Sequence, residues 1–133
     1  MTQIIITGNG KGRYQQEVKI GQHQLLADEP ESLGGDDAGP SPMEFVLTGL
    51  GACTAITLRM YAEKKGLDIA RITVSLEHRR SPEGKHQVER VVAVEGNLTD
   101  EQRTRLLEIA NRCPTHLALQ QPLEVKTRLE PAV

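Results

Sequence analysis

Two cysteines carry the clearest chemical potential in this sequence, and their surroundings differ. Cys53 lies in Leu50-Gly51-Ala52-Cys53-Thr54-Ala55, and Cys113 in Asn111-Arg112-Cys113-Pro114-Thr115-His116. A thiol becomes an effective nucleophile when it ionises, and a helix N-terminus favours ionisation through its unpaired N–H groups and the positive end of its dipole. Pro114 suits a first helical position, which makes Cys113 the N-cap of a short helix and gives it that setting. Cys53 falls in the middle of an apolar helical stretch. There burial alone raises a thiol pKa, and an added cation is needed to oppose it.

Other chemistry-bearing patterns are weaker. Cys113 and His116 form a Cys-x-x-His pair, but two further zinc ligands at suitable spacing are absent, because His23, His78 and His86 are scattered along strands and turns. A cysteine hydrolase needs a histidine base and a third group behind it; His116 could serve Cys113, but no third member stands out. Gly10-Lys11-Gly12-Arg13 lacks the Ser or Thr and the following helix of a phosphate loop, so it reads as a turn. Asp28, Glu29, Glu31, Asp36 and Asp37 crowd one loop without the periodicity or distal Glu of a calcium loop. The loop is expected to be a solvated connection that borders a pocket.

The elements that must position the cysteines follow from pattern. Ser41-Pro42-Met43-Glu44 is a capping box with proline at the first helical position, and it opens a helix that is apolar on nearly every side to about Ala62 and ends near Lys64-Lys65-Gly66. Gly49 and Gly51 each cost about 1 kcal/mol relative to alanine inside a helix, which predicts a close backbone approach by another element or subunit. Upstream, Ile4–Ile6, Tyr14–Ile20 and His23–Ala27 read as a three-stranded meander. Downstream, Ile72, Val74 and Leu76 alternate with polar residues in a strand that turns at Ser81-Pro82-Glu83-Gly84 and returns over Val88–Leu98, with a bulge or two-sided burial expected at Val91–Val94. Thr99-Asp100-Glu101-Gln102 caps a second helix to about Arg112. The alternation from Leu123 to Leu129 predicts a last strand with one wet face.

Strands, long helix, hairpin, helix and strand make an α+β pattern of antiparallel sheets packed on helices, read as a single domain over residues 1–133. A helix apolar all round is too hydrophobic for one small sheet to shield, so a second chain is expected to cover it. With three aromatic residues and a net charge of -2, the chain lacks both stacking platforms and a basic surface for nucleic acid. No run approaches about 20 consecutive apolar residues, and the N-terminus does not read as a signal peptide, so no membrane partner and a cytoplasmic location are expected. In a reducing compartment two cysteines are buried residues, metal ligands or a redox pair more often than a permanent staple.

The run Gly39-Pro40-Ser41-Pro42-Met43-Glu44 leading into Leu50-Gly51-Ala52-Cys53-Thr54-Ala55, with Asn111-Arg112-Cys113-Pro114-Thr115-His116 downstream, resembles the OsmC/Ohr family of osmotically inducible and organic-hydroperoxide-resistance proteins. The wording of the first motif and the Gly34-Gly35-Asp36 lead-in are nearest its YhfA-like branch. The resemblance implies antiparallel sheets wrapped around a long central helix in an intertwined homodimer, with active sites at the subunit interface. It implies a thiol peroxidase that uses no bound cofactor or metal. Cys53 attacks an organic hydroperoxide and becomes a sulfenic acid, Cys113 closes a disulfide, and an external dithiol or lipoyl-type reductant reopens it. The family holds its thiolate with an arginine and a glutamate. Arg13, just after the first hairpin turn, matches the arginine. The glutamate position is occupied here by Met43, and Glu44 stands one residue later, where it points away from Cys53 along its own helix and reaches a cysteine only across a dimer. Met43 favours the alternative, a non-catalytic redox-sensing or small-ligand-binding protein, which oxidises once where an enzyme cycles.

Overall fold

The computed structural model describes residues 2–131. Its elements run β1 (Ile4–Gly8), β2 (Gln16–Ile20), β3 (His23–Ala27), a 3-10 turn at Glu31–Leu33, α1 (Pro42–Lys65), β4 (Ile69–Arg80), β5 (His86–Gly96), α2 (Asp100–Ala110) and α3 (Pro114–Leu119). This is the expected α+β class, with antiparallel sheets and one long helix. By internal contacts the chain divides into two compact units, residues 1–48 and 49–133, with the boundary inside α1.

The first unit is built on the meander β1-β2-β3, in which Ile6 pairs with Val18 and Val18 with Leu25. Val18 is its buried centre. The acidic loop that follows is folded rather than merely solvated. Asp28 is buried, and its carboxylate accepts N–H bonds from Glu29 at 2.8 Å, Asp36 at 3.2 Å and Ala38 at 3.1 Å. Burial raises the Asp28 pKa, but those three backbone donors outweigh it and hold the carboxyl below the usual range. Gly35 has no room for a side chain, because a Cβ there would collide with the Glu29 carbonyl. The unit ends in the capping box: Ser41 N–H donates to Glu44 Oε1 at 2.9 Å, and Glu44 N–H to Ser41 Oγ at 3.4 Å. A cap of this kind contributes about 1 kcal/mol.

The second unit is the β4–β5 hairpin with α2, α3 and the rest of α1. Leu50, Gly51, Thr54, Leu58 and Ala62 form one buried stripe of α1 at helical spacing. Leu58 and Ala62 join Ile69, Leu106 and Ala110 in the core, flanked by Ile72, Val92 and Val94 from the hairpin. Gly51 faces Leu76 so closely that an added Cβ would displace that side chain, whereas Gly49 faces open space. Within the chain a close approach is met at Gly51 alone of the two, and it comes from a side chain rather than from backbone. α1 is also long and apolar enough, by length and composition, to cross a membrane, which the count of consecutive apolar residues did not register. Its buried stripe is taken up by the hairpin and α2, as in a core helix.

Two expectations about the strands need correction. The β4–β5 register is regular through Val91–Val94, and the irregularity falls between Ile69 and Arg71. Residues 122–130 form no strand, and Leu123, Val125 and Leu129 are 71%, 77% and 96% exposed. Alternation specifies a face but does not supply a neighbouring strand, and no strand among the described residues pairs with this segment.

Candidate functional site

The second unit brings Cys53 and Cys113 together. Thr99 caps α2 through a reciprocal box with Gln102, so the helix delivers the chain to a sharp break at Asn111-Arg112. Cys113 follows in extended conformation, and Pro114 opens α3. The Cys113 side chain is fully buried, and Cys53 is half-buried on the facing surface of α1. Both thiols are free.

The helix-end donors serve the other sulfur from the one sequence pattern suggested. Cys113 is the N-cap of α3, yet its side chain makes no capping hydrogen bond. Burial pushes the Cys53 thiol up, but hydrogen bonding from the Thr115 hydroxyl and N–H, then from Thr57 and Cys113, more than offsets it and leaves the thiol below its ordinary value. The Thr57 hydroxyl lies 3.9 Å from Cys53 Sγ. Cys53 was expected to need a cation; threonine donors fill that role.

Arg90 is a site residue that pattern reading missed. It sits on β5, where period-two alternation puts it on the same face as Val88, Val92 and Val94. Its guanidinium donates to Thr54 Oγ1 at 3.0 Å, to Asn111 Oδ1 at 3.1 Å and to His116 Nδ1 at 3.1 Å. Because arginine has no acceptor, His116 Nδ1 must carry the lone pair and Nε2 the hydrogen. Burial and the neighbouring Arg90 charge lower the His116 pKa, partly opposed by Gln120, so this imidazole is neutral near neutrality. Thr54 is fully buried; its hydroxyl donates to the Leu50 carbonyl at 2.7 Å and lies 3.8 Å from Cys113 Sγ. A charged residue on the apolar face of a strand was the signal that could have found this group. A cleft of about 440 Å³ opens beside it, walled by Leu50, Val88, Val92 and Leu107 with Arg90, Asn111 and His116 at its polar end.

Arg13 and Glu44 belong to the first unit. The Arg13 guanidinium stacks over the Tyr14 ring, 5.0 Å from its centre, and lies against Gly34. Glu44 is exposed and engaged with Ser41, whose N–H and hydroxyl lower its pKa. Among the described residues no group of three or more His, Cys, Asp or Glu side chains is placed to hold a metal. His78 and His86 stack on each other across the hairpin, at the exposed end of the sheet.

The model of a protein family described as OsmC-like protein matches residues 34–128. No curated protein matches the chain. Among solved structures, an OsmC-like protein from Mycoplasma pneumoniae superposes with a TM-score of 0.75 at 20% identity, covering 90% of this chain and 87% of the other. An organic hydroperoxide resistance protein OsmC from Legionella pneumophila, also described as a predicted redox protein and regulator of sulfide bond formation, gives 0.67 at 20% identity and covers 90% and 89%. An organic hydroperoxide resistance protein from Elizabethkingia anophelis gives 0.65 at 20% identity and covers 90% and 88%. At such identities these likenesses speak for the fold.

Proposed function

This chain belongs to the OsmC-like family, and from that premise we propose that it is a cysteine-based peroxidase acting on organic hydroperoxides, with Cys53 attacking and Cys113 resolving. The observation that carries the reading is the state of Cys53: a half-buried thiol held below its ordinary pKa by threonine donors, with a second cysteine beside it. In the first step the Cys53 thiolate attacks the outer peroxide oxygen. The O–O bond breaks, the sulfur becomes a sulfenic acid, and the alkoxide leaves and takes a proton from water. In the second the Cys113 thiolate attacks that sulfur and expels hydroxide, which is protonated to water, and a Cys53–Cys113 disulfide forms. A dithiol then exchanges with the disulfide, returning two thiols and becoming oxidised itself. The reading needs no bound cofactor or metal, and it sets the cycle in a reducing cytoplasm.

The reading includes a homodimer. Its support is the apolar surface the single chain leaves uncovered, Ile56 and Met60 on α1 and Leu123, Val125 and Leu129 beyond α3. It also gives Arg13 and Glu44 the thiolate-holding roles that the family resemblance implies, with Glu44 acting across the dimer in addition to its cap. A non-catalytic redox-sensing or small-ligand-binding protein is the second reading, favoured by Met43 at the family's glutamate position and, for ligand binding, by the cleft beside Arg90.

The test is peroxide consumption with a dithiol donor, together with intact mass before and after a stoichiometric organic hydroperoxide. Sustained turnover and a two-hydrogen loss mapped to Cys53–Cys113 are expected. Cys53→Ser should reduce consumption by at least a thousandfold. Full activity in that variant rejects the assignment, and a single oxidation without cycling selects the sensor.

A further inference from the structure

The geometry points to Arg90 and Thr54 as a positioning pair for Cys113: the Thr54 hydroxyl, polarised by Arg90, donates to Cys113 Sγ whenever that sulfur carries negative charge. The inference rests on the peroxidase reading above and assigns its second half-reaction to two residues for which the family resemblance implies no role.

The starting point is a cation without an anion. Among the described residues no carboxylate pairs with Arg90; its partners Thr54, Asn111 and His116 are all neutral acceptors. A partly buried guanidinium costs free energy to desolvate, and a nearby negative charge offsets that cost. The acidic group closest along its contacts is the Cys113 thiol, one hydroxyl away. Arg90 Nη1 lies 3.0 Å from Thr54 Oγ1, and Thr54 Oγ1 lies 3.8 Å from Cys113 Sγ.

Proton accounting explains why the hydroxyl must sit between them. Thr54 Oγ1 has one hydrogen and two lone pairs. With both thiols protonated, its hydrogen goes to the Leu50 carbonyl at 2.7 Å, one lone pair takes the Arg90 N–H, and the other faces the Cys113 S–H. When Cys113 loses its proton, the hydroxyl rotates from the Leu50 carbonyl to the sulfur, and the Arg90 charge strengthens the new bond. The other acidic group beside this sulfur is Cys53, which has been oxidised to the sulfenic acid before Cys113 attacks, so its charge does not oppose that of Cys113 during closure.

A negative Cys113 arises twice in the cycle. It attacks the Cys53 sulfenic acid, forming the S–S bond and releasing hydroxide. Later, when a dithiol attacks the more accessible Cys53 sulfur, Cys113 leaves with the electron pair of the broken S–S bond. Both events sit on the same side of the Thr54 hydroxyl, so one pair of residues serves both.

The test is rapid mixing of the reduced protein with an organic hydroperoxide, following Cys53 oxidation, which depends on peroxide concentration, and disulfide closure, which does not. In Thr54→Val closure should slow at least tenfold more than oxidation, and Thr54→Ser should restore it. Arg90→Gln should show the same selective loss, with Arg90→Lys intermediate. A second readout uses equilibrium in alkali, where reduction leaves Cys113 as a thiolate: against a reference dithiol, Thr54→Val should shift about tenfold toward the disulfide, because that thiolate is less well held. Closure at the wild-type rate in Thr54→Val, equal slowing of both phases, or no rescue by serine overturns the positioning role. A wild-type protein that oxidises without ever closing the disulfide overturns the peroxidase reading, and this inference with it.

Discussion

Asp28 in the first unit and Arg90 in the second are both charges withdrawn from water with no counter-ion among the described residues, and they are satisfied in opposite ways. Asp28 collects N–H groups from Glu29, Asp36 and Ala38, all within one loop. Arg90 gives its N–H groups to Thr54 on α1, Asn111 at the end of α2 and His116 on α3. The first arrangement is local: a carboxylate nucleates the turn of chain that surrounds it. The second joins four elements that are distant in sequence, and one of its partners touches a cysteine. A charge that organises its own loop explains itself, whereas a charge that gathers side chains from several elements around a sulfur calls for a chemical reason.

Removing Arg90 is the harshest way to break that contrast. Arg90→Met strips charged hydrogen bonds from a buried hydroxyl and from two further acceptors. Such bonds are worth about 1.5–3 kcal/mol each, and partial rehydration of Asn111 and His116 recovers part of the loss. A net destabilisation of about 2–4 kcal/mol is expected, measured as a fall in the urea midpoint. A variant as stable as wild type would mean that the cluster does not join the elements of the second unit.

How far the sequence carried is visible in the same two places. The capping boxes at Ser41–Glu44 and Thr99–Gln102, the meander and the β4–β5 hairpin could be read directly, because each is specified by residues a few positions apart. The two cysteine motifs were also legible as a pair. What was not legible depends on distant parts of the chain. Thr115 and Cys53 meet only when α3 folds against α1, so the donors were assigned to the nearer sulfur, Cys113. Asp28 looked like one acid among several because its three donors lie up to ten residues downstream. The segment 122–130 had the pattern of a strand, but a strand also needs an edge to pair with.

The comparison sharpens when the two cysteines are separated experimentally. If Arg90 and Thr54 act on Cys113, the reactivity of Cys53 should be set by Thr115 instead. Thr115→Val removes the hydroxyl and keeps the N–H, and about a threefold to tenfold slower oxidation by hydroperoxide is expected at neutral pH. A depressed thiol pKa means that the thiolate persists to lower pH than in a free cysteine, so the variant should need a higher pH to reach the same rate. The two proteins should converge in alkali, where both thiols are ionised. A deficit that persists unchanged at high pH would assign Thr115 to packing or substrate placement rather than to the thiolate.

The smallest effect separates the two charges by acid. Asp28 has a folded-state pKa below its unfolded value, so the unfolded chain binds more protons in that window. The stabilisation is complete above the ordinary carboxylate pKa of about 3.9 and is lost as pH falls through the depressed value. His116 is also depressed, from an ordinary value near 6.5. It favours the folded state fully above that value, and its contribution declines as pH drops toward its folded pKa, where Nδ1 takes a proton and Arg90 loses an acceptor. Acid titration of the urea midpoint should therefore show an early decline below about pH 6.5 that Arg90→Met diminishes, because the cation that disfavours a second charge is gone. A later decline below about pH 4 should be diminished by Asp28→Asn and by no change at Arg90. If Asp28→Asn instead altered the early decline, the carboxylate and the guanidinium could not be independent solutions to the same physical problem.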